Sequence, residues 1–199
     1  MGIMVLGRAM RHTLTLAFGI VAAVIGWGPM TPASGAAPSV SATAKVVVHV
    51  KPRIAVAATT PVVHVGTIET GNVSATVGFR VESNAGAVEM FVSATGLYKG
   101  GVAEGPTVAP IPLDASRGVR IDASEARPQG GRSNVAAFTG HGQIEEFPAR
   151  VTERIAFESK QKGRFSQDVR IGVAWNQNDA AKPPGDYAGR VRLTAMVLP

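Results

Sequence analysis

The chain has 199 residues, no cysteine and a formal charge of +6. Without cysteine no disulfide can brace it, so a stable fold must rest on a core, a metal or partners. Hydrophobic residues make up 45% and aromatics 6%, enough for a core but without the basic stripe interleaved with aromatics that marks nucleic-acid binders.

The N-terminus reads as an export signal. Arg8, Arg11 and His12 give a positive start, and no charged residue occurs from Thr13 to Ala44. Leu14 to Trp27 is nearly all apolar, Pro29 and Pro32 end any helix, and small residues follow at 33–37 and 42–44. That order is the pattern of a secretory signal peptide with small-residue cleavage sites. Residues 1–44 are therefore assigned to signal and processing, with cleavage after Ala36 or after Ala44. An uncleaved anchor is the alternative, although the apolar run is short for a span of roughly 20 residues. Residues 45–199 suit a single domain. They carry 18 Lys and Arg against 14 Asp and Glu, a net of +4, scattered along the chain.

A period of two dominates the rest, as expected for half-buried antiparallel strands. KVVVHVKPRI, 45–54, puts Val46, Val48 and Val50 on one face, until Pro52 removes a donor and breaks the ladder. VSATVGFRVE, 73–82, puts Val73, Ala75, Val77, Phe79 and Val81 together. VEMFVS, 88–93, follows the turn-forming SNAGA, and VRIDA, 119–123, is a shorter strand. EEFPARVTERIAFESKQ, 145–161, has both helical and strand spacings and is read as strand or irregular structure. VRIGVAW, 169–175, aligns Val169, Ile171, Val173 and Trp175. The last run, YAGRVRLTAMV, 187–197, aligns Val191, Leu193, Ala195 and Val197. GPTVAPIP, RPQGGRSN and NQNDAAKPPGD punctuate these runs as turns. Many short strands with no strong helix predict an all-β fold, an immunoglobulin-like antiparallel β-sandwich preceded by a signal peptide.

Two terminal stretches resemble a known family. The pattern V-x-V-x-P-x-I-x-V from Val48 through Pro52 and Ile54 to Val56 is similar to the mature N-terminus of alpha-class (colonization-factor type) fimbrial subunits. Gly185, Asp186, Tyr187, Ala188 and Gly189, followed by Val191 and Leu193, are similar to the family's closing strand, and Arg80 to Asn84 match more loosely. Residues 100–165 carry no resemblance. The likeness implies an incomplete immunoglobulin-like domain that assembles by donating its N-terminal strand to a neighbour. It makes Val46, Val48 and Val50 the plug residues, and Pro52, Ile54, Gly185, Tyr187 and Gly189 structural matches. It further implies other copies or related subunits as partners, with a periplasmic chaperone and an outer-membrane usher, and a route through the periplasm to a fimbrium at the cell surface. Equally, the N-terminal strand can be the first strand of its own sandwich. The protein is then a stand-alone secreted or periplasmic binding domain for a glycan or a protein.

No chemistry-bearing constellation emerges. His49, His64 and His141 lack ligand spacing to any carboxylate pair. Glu145 and Glu146 are adjacent, and on a strand they would point to opposite faces. No nucleophile elbow or phosphate loop occurs. Tyr98, Trp175 and Tyr187 could line a sugar site, but core packing for Trp175 and a corner role for Tyr187 fit better. Asn72-Val73-Ser74 is a glycosylation sequon opening a strand. The expectation is therefore a non-enzymatic protein with no cofactor, no metal and no nucleic-acid partner, touching a membrane only through its signal segment.

Overall fold

Alternation along two long runs builds the frame. The computed structural model describes residues 44–103 and 108–198. The signal segment lies outside these apart from Ala44, as does part of the GPTVAPIP turn. From the N-terminus come β1 (Ile54–Ala58), β2 (Gly71–Ser83), β3 (Ala87–Thr95) and the two-residue β4 (Tyr98–Lys99). Next are β5 (Val119–Ala123), β6 (Ala126–Pro128), β7 (Val135–Ala136), β8 (Phe138–Ile144) and β9 (Phe147–Thr152). The chain then makes β10 (Ile155–Ser159), β11 (Phe165–Gln177), the short β12 (Tyr187–Ala188) and β13 (Val191–Val197).

All pairings are antiparallel. One sheet has the order β1-β2-β11-β5-β7. Its spine is an unbroken ladder from Gly71↔Gln177 to Ser83↔Phe165. In the other sheet β3 is central. β13 flanks it on one side along Val191↔Ala94 to Val197↔Val88. On its other side β10 pairs near Met90 and β9 near Thr95. β6 extends the sheet beyond β10, and β8 beyond β9. β4 and β12 form a separate small ribbon. In the immunoglobulin scheme one sheet runs A-B-E-D and the other holds C, F and G. Here β1-β2-β11-β5 follow the first order, and β3 and β13 take the C and F places.

The inner faces meet as the alternation demands. Val73, Phe79, Val81, Phe165, Ile171 and Trp175 of the first sheet pack against Val88, Met90, Val92, Phe157 and Leu193 of the second. The expected strands at 73–82 and 169–175 are longer, at 13 residues each, because each finds a partner along its whole length. The ambiguous 145–161 stretch is two strands, β9 and β10, with Glu153 and Arg154 between them. Thr152 explains the break: its hydroxyl donates to the Glu153 carbonyl and accepts from the Val92 N–H, turning the chain where a regular ladder would continue.

One expectation fails in the structure. Lys45–Arg53 forms no strand, and β1 begins only at Ile54. Alternation makes a segment fit to be a strand, but a strand exists only with a backbone partner, and this segment has none within the described chain.

The core should respond in proportion to burial. Met90→Ala is expected to destabilise the domain by about 2–5 kcal/mol, because Met90 is fully buried between the sheets. Denaturant unfolding of the purified variant checks this, and a loss under about 1 kcal/mol would contradict the described packing.

Candidate functional site: the open side of the sandwich

The two termini that looked alike in the sequence come together in space. Among the described residues β1 pairs only with β2, and β13 only with β3. Their other edges lie on the same side of the sandwich, where the strands approach within 8 Å at Cα but share no ladder. Two free edges thus lie close together on one side of the sandwich. Several inward positions there are incompletely covered. Val56, an inward position of β1, is 37% exposed, and Ala58 is also exposed. Val191, Ala195 and Val197 of β13 are only half-buried, whereas Leu193 is buried. Residues 61–70, which link β1 to β2, form no strand, but Val63 and Ile68 pack partly against the core.

The chemistry of these edges is unusual. Exposed edge strands are normally blunted by charge, proline or a bulge. β1 reads IAVAA, with neither charge nor proline. On β13 only Arg192 is charged.

Upstream of β1 the N-terminal segment is exposed. Val46 is 85% exposed, Val48 77% and Val50 71%, and no residue from Ala44 to Arg53 lies in a strand. Its C-terminal end is held. The Asn84 side chain accepts from the Arg53 N–H at 2.6 Å and donates to the Lys51 carbonyl at 3.0 Å. Pro52 sits between these two anchors. Ile54 opens β1 opposite Ser83 and is half-buried.

At the other terminus the motif residues are structural. Gly185 takes φ 139°, a backbone that side chains rarely adopt. The Tyr187 hydroxyl donates to the Pro183 carbonyl at 2.8 Å, the corner role read from sequence. Gly189 is required by close approach: a Cβ there would lie 2.8 Å from the Gly96 carbonyl oxygen and from Leu97 Cδ2. Just beyond it Thr95 ties β3 to β13. Its N–H donates to the Arg190 carbonyl at 3.0 Å, its hydroxyl accepts from the Arg190 N–H at 2.9 Å, and its own carbonyl accepts from Trp175 Nε1 at 2.9 Å.

The other residues singled out in the sequence lie elsewhere. Tyr98 and Trp175 are buried, so neither forms a sugar platform. His49, His64 and His141 are exposed and apart. Among the described residues no three His, Asp or Glu side chains gather closely enough to hold a metal. Glu145 and Glu146 are not on a strand: they form the β8–β9 turn, and both carboxylates reach Arg190, at 2.6 and 4.0 Å. That guanidinium stacks 3.8 Å from the Phe147 ring centroid, which Tyr98 meets edge-on at 5.0 Å. Sequence spacing missed this cluster because the turn brings together residues 45 positions apart (Glu145 and Arg190). Two surface depressions, of about 590 and 370 Å³, lie beside β6 and where β5 of one sheet meets β6 and Phe157 of the other. Arg127 in the first is already paired with Glu158. No protein-family model, characterised protein or solved structure matches the chain.

The geometry separates the N-terminal segment from the fold. A chain lacking residues 45–50 is expected to unfold at the same denaturant midpoint as the intact chain, within about 0.5 kcal/mol, when both are monomeric. A clearly lowered midpoint would mean that the segment pairs inside its own sandwich.

Proposed function

We propose that this protein is an exported structural subunit, of fimbrial type, that associates by adding its N-terminal strand to the open side of a neighbouring copy. The observation that carries the reading is a mismatch of supply and demand in one molecule. Val46, Val48 and Val50 form an apolar, alternating, unpaired segment. The same molecule has two adjacent edges, unpaired among the described residues, with half-buried apolar residues. In an immunoglobulin scheme the place beside β13 belongs to a G strand, and among the described residues nothing occupies it. Strand addition to such an edge is an established recognition mode.

Geometry limits how the strand enters. A strand hydrogen-bonded to both edges needs about 9.6 Å between them, twice the ladder spacing of about 4.8 Å. Where β1 and β13 lie within 8 Å, the incoming strand pairs with β13 and leaves β1 to one side, or parts the two. Burying a valine contributes about 1.5–3 kcal/mol, and each ladder bond about 0.5–1.5 kcal/mol. Ordering the strand costs about 1–2 kcal/mol per residue. These are of similar size, so a free peptide binds weakly, and the joint gains strength when the strand arrives anchored to a folded neighbour.

The export signal read in residues 1–44 sends the chain to the periplasm and then the surface. An uncharged free edge exposed along that route calls for a covering partner, which is the role of a chaperone, with an usher at the outer membrane. A stand-alone glycan-binding role lacks comparable support, because Tyr98 and Trp175 are buried.

The test uses the exported chain at rising concentration. Wild type is expected to form oligomers seen by light scattering, while the triple variant Val46→Asp, Val48→Asp, Val50→Asp stays monomeric with an unchanged melting temperature. A peptide of residues 45–53 in large excess is expected to raise the melting temperature of that variant, and the same peptide with three aspartates is not. Equal association of both chains, or no effect of either peptide, would refute strand addition.

A further inference from the structure

The distribution of charge over the two ends of the sandwich is uneven. At one end the β2–β3 turn lies against the β10–β11 turn, where a Cβ placed on Gly86 would meet the Gly163 backbone at 3.8 Å. Lys160, Lys162 and Arg164 project from the second turn, and Asn84 of the first holds the backbone of Lys51 and Arg53 beside them. All five cations are exposed. Among the described residues none of them forms an ion pair. Of the neighbouring carboxylates, Glu82 and Glu158 are already engaged by Arg80 and Arg127, and the exposed Glu125, whose carbonyl accepts from the Lys160 N–H, is a single countercharge to five cations.

The opposite end has the reverse character. There β2 begins, β11 ends, and the β8–β9 turn and the start of β12 gather. Of its cations, Arg117 pairs with Asp114 and Lys182 with Asp179, while Lys99 of β4, beside β12, is exposed and forms no ion pair among the described residues. Glu145 and Glu146 present two carboxylates to the single guanidinium of Arg190. Glu69 and Asp186 are exposed and pair with no cation among the described residues.

We infer that these two ends dock on each other, the basic end of one copy against the acidic end of the next, so that association is head to tail. The inference rests on the strand-addition reading and adds to it the direction and the electrostatic guide of the joint. Direction comes from the chain path. Asn84 fixes Lys51 and Arg53 at the basic end, so the residues just upstream leave the fold there, and a copy receiving them lies beyond that end. β13 starts at the acidic end, where Val191 faces Ala94, and runs to the basic end, where Val197 faces Val88. A strand arriving from a neighbour's basic end therefore meets the acidic end of its host first. Exposed charges are screened beyond about 10 Å at 0.1 M salt, and complementary patches mainly raise the rate of encounter and select orientation. The signature is thus kinetic, and it weakens with salt.

Two paired variants read it out. K162E/R164E makes the basic end acidic, and E69K/D186K makes the acidic end basic. All four side chains are exposed, so melting temperatures should match wild type, and neutral K162Q/R164Q serves if the reversal disturbs folding. Followed by light scattering at low salt, each variant alone is expected to associate at least about tenfold more slowly than wild type. An equimolar mixture of the two should recover most of the lost rate, because opposite ends again meet. High salt should narrow all differences. Wild-type rates for the single variants, or no recovery on mixing, would overturn the end-to-end docking while leaving strand addition intact. Salt-sensitive association that persists after the three valines become aspartate would instead overturn strand addition and keep the docking. A wild type that stays monomeric throughout would overturn both.

Discussion

The thirteen-residue pairing of β2 with β11 is the constraint on which the rest of the structure depends. Side chains alternate across a strand, so a slip of one residue would turn every apolar side chain to water. In the observed register Val73, Ala75, Phe79 and Val81 are buried on β2, and Val169, Ile171, Val173 and Trp175 on β11. That choice creates an apolar platform on which the second sheet settles. It also places β1 at an edge, because β2 has one side left to offer and β1 takes it. In a chain without cysteine, this register and its core stand where staples would otherwise be needed.

The margins of the sandwich are less regular, and they bear most directly on function. A sandwich satisfies backbone groups in its interior strands and leaves them unsatisfied at its edges. Here the far edge of one sheet is a strand of two residues, β7, and that of the other is split between β6 and β8. Short or broken strands are poor templates. On the opposite side the edges are β1, of five residues, and β13, of seven, with several inward positions incompletely covered. The proposal of strand addition rests on β1 and β13 lying side by side with their outer edges unpaired among the described residues.

Much of the fold was legible in the sequence because burial writes itself as period two. The runs at 73–82, 88–93, 119–123 and 169–175 fall within strands, Val119–Ala123 to the residue, whereas the last run, 187–197, divides at Gly189 and Arg190 into β12 and β13. The stretch from Lys45 to Arg53 shows where period two stops being informative. Its alternation is as clean as that of β2, but it pairs with nothing in the described chain. Pattern reports what a segment is fit to do, and pairing depends on what is near it. Contacts made by turns were equally invisible. The Glu145–Glu146 carboxylates and Arg190 meet through a two-residue hairpin in which Glu145 adopts φ 54°, a conformation usually given to glycine, so no local signal announced it. The gathering of cations at one end likewise depends on the turn at Gly86 lying against the turn at Gly163, two turns far apart in sequence.

The amide of Asn84 serves as both acceptor for the Arg53 N–H and donor to the Lys51 carbonyl, a double role that suits a carboxamide side chain and not a carboxylate. Hydrolysis of that amide to a carboxylic acid would preserve the first contact and set a negative oxygen against the Lys51 carbonyl. The grip on the backbone either side of Pro52 would then be half released, without any change in the sandwich itself. Ageing of a single asparagine would in this way alter where the N-terminal arm points long before it altered whether the protein is folded.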